Sequence, residues 1–227
     1  MLGFTNYITQ NKNNLKFFRQ KTVAGFTLIE LIITIGVFSV GVLAAFSLAI
    51  GNSNDNRANK DRIIAANLSR EALELTRNIR DSNWLRLDNN ISCDGGTTIC
   101  SWDDMSLANK FILVDYNNYG DGAAVCAAYG SLEQCLNNCK LDNSCSMYID
   151  ANGFYSHDNT GIATNFYRAV GLKSICLNTT TLVETVRDIC EALEEKIGLE
   201  VSSRVDWQRS GKDYSLELSD RFYNWRR

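Results

Sequence analysis

Proline is absent from all 227 residues, so no turn, cap or kink in this chain rests on a fixed φ. Histidine is nearly absent, since His157 is the only one. Histidine-dependent catalysis, whether Ser-His-Asp or Cys-His, therefore hangs on one residue without a companion motif. Cysteine is missing from the first 92 residues. Positive charge is scarce beyond residue 25. The formal net charge is −3, and removing the four basic residues of the first 25 from the 23 leaves 19 against 26 acidic residues, a net −7. A balance of that sign lacks the clustered Lys and Arg that phosphate contacts require, and no nucleic-acid partner is expected.

What is present is unevenly placed. Lys12, Lys16, Arg19 and Lys21 give residues 1–25 a local charge of +4 with no acid among them. Residues 31–50, LIITIGVFSVGVLAAFSLAI, then run for twenty residues without a charge. As a helix with ~1.5 Å rise they span ~30 Å, the thickness of a bilayer's hydrocarbon core. The run is too long for a strand, and longer than the ~7–15-residue apolar stretch of a secretory signal. The basic leader holds the N-terminus in the cytoplasm by the positive-inside rule, which puts the rest of the chain outside. Past Gly51 the polarity rises, yet Ile64, Leu68, Ala72, Leu75 and Ile79 keep helical spacing, with Arg62, Arg70, Glu71, Arg77 and Arg80 off that stripe. A continuous helix to about Asp81 is expected, with Asn-rich 52–56 the place where it can break. Gly41, Ala45 and Ala49 recur every four residues, a small-residue face for close helix packing.

Beyond Trp84 the pattern turns to strands. FILVDY (111–116) and NFYRAVGLKSICL (165–177) read as two of them. SMYID and GFYSH flank Ala151-Asn152, where Asn152-Gly153 suits a tight type I′ hairpin turn. Leu199, Val201, Ser203, Val205 and Trp207 alternate, Ser210-Gly211 turns the chain, and Tyr214, Leu216 and Leu218 alternate again, a C-terminal hairpin. Residues 181–197 fit a helix. Thr181 and Glu184 suggest a capping box, Val186, Ile189, Cys190, Leu193 and Ile197 share a face, and Gly198 ends it. The fold class is α+β: a long N-terminal helix on an antiparallel sheet, with a disulfide-tied insertion.

The cysteines are Cys93, Cys100, Cys126, Cys135, Cys139, Cys145, Cys176 and Cys190. An even number confined to one region reads as a disulfide framework made in an oxidising compartment, with free thiols and zinc as the alternatives. No Cys-x-x-Cys pair exists, which disfavours zinc, and neither a metal nor a cofactor is expected. Cys93 and Cys100 close a short loop and are expected to pair, and so are Cys176, ahead of the 181–197 segment, and Cys190 within it. Cys135 and Cys139 lie four apart in a helical stretch, where Cβ atoms are ~5–6 Å apart and a disulfide needs ~3.5–4.5 Å. Each is expected to pair outward, one with Cys126 and the other with Cys145.

No residue set makes a catalytic site. His157 reads as a surface-loop histidine. The stretch from Asp115 to Gly120 has the look of the first half of a calcium loop, but Cys126 stands where the twelfth position needs a bidentate Glu, so it reads as a turn. Asn67, Asn90 and Asn178 match the glycosylation sequon by pattern alone.

The junction KTVAGFTLIELIITIGVFSVG carries the strongest signal. It resembles the processing site of type IV prepilins: a glycine, a phenylalanine, and a glutamate at the fifth position of the mature chain, opening a membrane helix. The resemblance implies cleavage between Gly25 and Phe26 by a membrane aspartic prepilin peptidase, N-methylation of Phe26, and an assembly role for Glu30. A carboxylate within an apolar membrane helix costs on the order of 2.5–3.5 kcal/mol at mid-bilayer and calls for a partner. The α-amino group of a neighbouring subunit's Phe26 is the expected one. The sequence departs from many major pilins in its 25-residue leader and in lacking a helix-kinking proline. YIDANGFYSH, TNFYRAV, VSSRVDW and the terminal NWRR further resemble the layout of some minor pilins of the pilus modification type.

The expected organisation is a cytoplasmic basic leader (1–25), a transmembrane helix (26–50), its amphipathic continuation (51–83) and an extracytoplasmic domain (84–227). The expected function is that of a structural minor subunit, a minor pilin or pseudopilin, of a type IV pilus-like filament or secretion system, and not an enzyme. Its partners are other pilin subunits and the prepilin peptidase/N-methyltransferase. Its place is the inner membrane and then a surface filament. A surface adhesin or DNA-uptake subunit, and a plain membrane-anchored periplasmic protein, are the rival readings.

Overall fold

A computed structural model of the chain describes residues 25–91, 101–103, 111–116, 123–124 and 130–225. Residues 1–24, which hold nearly all of the expected leader, Cys93, Cys100, Cys126 and most of the calcium-like stretch lie outside the described residues. Helix α1 (Leu28–Asp88) is unbroken through the Asn-rich 52–56. The chain divides into two compact units, with the boundary between Ser53 and Asn54.

In the first unit the helix is apolar and exposed all round: Leu28, Ile33, Val37, Phe38, Leu43 and Leu48 are each more than half accessible. A helix hydrophobic on every face, with no protein packed on it, has the character of a membrane span.

In the second unit α1 is amphipathic and buries Ala65, Leu68, Ala72, Leu73, Ile79 and Trp84. Its partner is an eight-stranded sheet in which every pairing is antiparallel. The strands are β1 (Phe111–Leu113), β2 (Ala123–Ala124), β3 (Ser146–Ile149), β4 (Tyr155–Ser156), β5 (Ile162–Asn178), β6 (Glu184–Arg187), β7 (Glu194–Arg209) and β8 (Lys212–Tyr223). The long β5 is the axis. Along one edge it pairs in turn with β3, β1 and β6, and along the other with β7, which pairs with β8. Strand alternation sends Phe166, Val170 and Leu172 of β5 and Leu199, Val201 and Val205 of β7 into clusters with α1 residues. The opposite parity, with Ala169, meets the short helix α2 (Leu132–Asp142) through Leu132, Cys135, Leu136 and Cys139. Ser131 caps α2, its Oγ accepting from the Gln134 amide at 3.2 Å.

Two expectations fail here. Residues 181–197 are not helical: β6 pairs with residues 174–177 of β5, and β7 already begins at Glu194. The Asn178 side chain makes the turn instead of the Thr181–Glu184 box, its Oδ1 accepting from the amides of Thr180 and Thr181 at 3.0 and 2.9 Å. Pairing along β5 outweighs a weak helical periodicity in a segment dense in β-branched Thr and Val. Gly198 is a strand residue rather than a helix stop. A Cβ there would lie 2.8 Å from the Phe222 carbonyl oxygen, so two backbones meet where only glycine fits. The second failure is the type I′ turn at Asn152-Gly153. Of that pair only Gly153 has a positive φ (87°), and Asp150 organises a longer connection, its Oδ1 accepting from Asn152 and Phe154 amides, both at 2.8 Å. The two positive φ angles of a type I′ turn fall instead at Ser210 (50°) and Gly211 (74°), joining β7 to β8.

The structure bonds Cys139 to Cys145 and Cys176 to Cys190. Cys135 is disulfide-bonded as well, and its expected partner Cys126 lies outside the described residues. The first bond ties the end of α2 to the start of β3, and the second ties β5 to the connection between β6 and β7. Cys176, Cys190 and Glu194 lie close enough to hold a metal ion, but the two sulfurs are already bonded to each other.

Candidate functional site

Two arrangements stand out. The first is the opening of α1. Gly25, Phe26 and Thr27 precede the helix, and all three are exposed. Thr27 is its cap: the Thr27 Oγ1 accepts from the Glu30 amide at 3.3 Å, and the Thr27 carbonyl accepts the first helical bond from the Leu31 amide. Hydroxyls further along bond back into the helix, Thr34 to the Glu30 carbonyl at 2.6 Å and Ser39 to the Ile35 carbonyl at 2.7 Å. The Glu30 carboxylate has no partner among the described residues. It is the sole charge between Phe26 and Ile50, on a helix whose apolar side chains all face outward. Gly41, Ala45 and Ala49 are also exposed on this helix.

The second arrangement went unread in the sequence. Arg168 stands in β5 in the row of Phe166, Val170 and Leu172, and its side chain is wholly buried against α1. Its Nη1 donates to the Leu68 carbonyl at 3.2 Å and to Glu71 Oε1 at 3.3 Å. Its Nη2 donates to the Val114 carbonyl and to Asp115 Oδ1, the latter at 3.1 Å. Asp115 also accepts from the His157 amide at 3.1 Å and faces His157 Nδ1 at 2.8 Å. His157 Nε2 in turn lies 3.1 Å from the Arg168 carbonyl oxygen. The expectation of a surface-loop histidine is therefore wrong, since the His157 side chain is 7% exposed. Both its ring nitrogens thus face oxygen acceptors. Burial pushes the Asp115 carboxyl upward, but the hydrogen bonds and charge of His157 and the charge of Arg168 outweigh it and hold the group below its usual range. The signal for this cluster was parity: a strand position flanked at ±2 by Phe166 and Val170 points inward whatever residue occupies it. The cluster is a structural lock: the guanidinium joins α1 to the end of β1 through Leu68, Glu71, Val114 and Asp115, and His157, just past β4, is tied to it through Asp115 and the Arg168 carbonyl.

Residues 20–46 match the model of the prokaryotic N-terminal methylation motif, the type IV pilin signature. No curated protein and no solved structure matches the chain. The motif brackets Gly25, Phe26 and Glu30, and the fold that follows is a long N-terminal helix on an antiparallel sheet. The chain thus carries the type IV pilin signature at the opening of a long helix, and among the described residues that helix alone is long and apolar enough to cross a membrane, with the character of a single-pass anchor.

Proposed function

We propose that this protein is a minor pilin or pseudopilin, cut between Gly25 and Phe26 by a prepilin peptidase, methylated on Phe26, and built into a type IV pilus-like or secretion filament through Glu30. The observation that carries the reading is the Glu30 carboxylate, without a partner among the described residues, on an exposed apolar helix inside the matched motif and one turn beyond the proposed cleavage position. Within a bilayer that charge is costly, and an α-amino group on Phe26 of the next subunit removes the cost only in the assembled state. The disulfides argue for a domain outside the cytoplasm, and the cystine-tied α2 added to the far face of the sheet suits a specialised subunit.

Glu30→Leu separates assembly from anchoring. It makes the span more lipid-compatible and leaves the scissile pair intact, so membrane insertion and cleavage persist while incorporation into sheared filaments is lost. Mass spectrometry of the mature wild type should find N-methyl-Phe26. Glu30→Leu entering filaments at the wild-type level, or an intact Met1 terminus beside an active peptidase, would refute the proposal.

A further inference from the structure

A recess of about 350 Å³ lies between α1 and the tip of the β7–β8 hairpin, wholly within the second unit. On the helix it is lined by Asp55, Asn59 and Arg62, spaced i, i+4 and i+7 and so on one face. On the hairpin it is lined by Trp207, Arg209 and Tyr214. The Trp207 and Tyr214 rings stack, with centroids 5.7 Å apart and planes at 15°. Arg209 is held by Asp61 at 2.8 Å. Arg62 and Asp55 have no hydrogen bond or ion pair among the described residues. The recess thus offers a free guanidinium, a second one fixed in place, a free carboxylate and an aromatic pair. Its size reaches the lower end of the ~300–1,000 Å³ typical of small-ligand sites.

Its place in the chain decides which ligand is near. Asp55 follows Ile50, the end of the apolar run, by five residues. Those residues cover ~8 Å as helix and at most ~18 Å fully extended, so the recess stays close to the lipid headgroups of any membrane holding the apolar run. Local charge agrees. Arg57, Lys60, Arg62, Arg209 and Lys212 stand against Asp55, Asp61 and Asp213, a surplus of two positive charges in a chain whose overall net charge is −3.

We infer that this recess binds a phospholipid headgroup of the phosphoethanolamine type, the phosphate on Arg62 and Arg209 and the ammonium on Asp55 and the exposed part of Tyr214. Guanidinium groups suit the phosphodiester, and a carboxylate beside an aromatic ring suits the ammonium. A lipid carrying phosphate alone would leave Asp55 facing like charge. The inference rests on membrane anchoring and not on filament assembly.

The test is native mass spectrometry of the full-length protein released from micelles containing phosphatidylethanolamine, phosphatidylglycerol, or either with inorganic phosphate. The expected result is retention of phosphatidylethanolamine over phosphatidylglycerol by several-fold. Arg62→Ala should lower that retention about tenfold, the loss of one charge-assisted hydrogen bond, with an unchanged melting temperature because Arg62 supports nothing else. Asp55→Asn should abolish the preference while leaving phosphatidylglycerol retention as it was. Equal retention of both lipids, or no effect of Arg62→Ala, would overturn the inference and leave a generic basic surface. Displacement of the lipid by low-millimolar phosphate would overturn it in favour of a free-anion site. Glu30→Leu protein should retain the lipid like the wild type, so failure of the assembly role and failure of this site are told apart.

Discussion

Replacing Arg168 by Met keeps most of the buried volume and removes the charge. The aliphatic stem still fills the space beneath α1, so no large cavity opens and the loss is electrostatic. Asp115, 13% exposed, loses one of three donors and keeps the two from His157. The Val114 carbonyl loses the guanidinium donor described here, whereas the Leu68 carbonyl sits within α1 and keeps its place in the helical ladder. Glu71 is 38% exposed and contributes little. Removing one member of a buried pair typically costs 3–5 kcal/mol. The surviving His157 contacts place this case at the lower end, about 3 kcal/mol, or roughly 6–12 °C in melting temperature for a domain of this size. The assay is thermal unfolding of the full chain in detergent, followed by near-ultraviolet circular dichroism of the buried tryptophans. A shift under about 2 °C would refute the reasoning, because it would mean that the guanidinium contributes nothing net. Arg168→Met combined with Asp115→Leu should recover part of the loss, since the carboxylate goes with its guanidinium partner, while the His157 amide and Nδ1 lose their acceptor and keep the recovery incomplete.

Asp115 also sets an acid limit. Its carboxyl is held below the ordinary value in the fold, so its contribution is present above the unfolded value near ~3.9 and disappears as pH falls through the folded one. Melting temperature should drop steeply below about pH 4 in the wild type and less steeply in Asp115→Asn. Among the disulfides, Cys190→Ser with Cys176→Ser opens a loop of sequence separation 14 and should cost about 3 kcal/mol on chain-entropy grounds, measured by urea unfolding; no measurable change would contradict the role given to this bond. Gly198→Ala forces a methyl to within 2.8 Å of the Phe222 carbonyl oxygen and should destabilise by about 1–3 kcal/mol, whereas Ser210→Gly, at a φ of 50°, should be neutral or stabilising. Equal melting temperatures for the two glycine-directed variants would overturn that contrast.

Patterns with a long repeat were legible in the sequence. The apolar run, the stripe through Leu68, Ala72 and Ile79, and the alternation through Val201, Val205 and Trp207 each repeat a simple period over many residues, and each reappears in the structure. Elements decided by what lies across from them were not. Residues 181–197 carry enough helical spacing to suggest a helix, but pairing on both edges of β5 and the Cys176–Cys190 bond make them β6, a connection and the start of β7. Asn152-Gly153 has the composition of a tight turn, but the Asp150 side chain captures two amides and imposes a longer connection. The fifth-position glutamate was read as functional from its motif, whereas Arg168, Asp115 and His157 carry no motif and lie 42 and 53 residues apart along the chain where they meet.

Arg168 also bears on how the helix finds its place on the sheet. The face α1 presents is built from Ala65, Leu68, Ala72 and Ile79, whose spacing nearly repeats every turn. An apolar contact of that kind is non-directional, and sliding the helix by one turn of ~5.4 Å would bury much the same side chains. The guanidinium removes that freedom. It reaches the Leu68 carbonyl and Glu71 on the helix while its other nitrogen is held by Val114 and Asp115, so a one-turn slip would strand a buried charge. Buried polar groups are retained for register in some proteins and not in others, and here the two cases make different predictions. If Arg168 sets register, Arg168→Met combined with Asp115→Leu should recover stability and yet show broadened or doubled amide resonances for residues 65–79. If apolar packing sets it, the same variant should give one sharp set of resonances indistinguishable in number from the wild type.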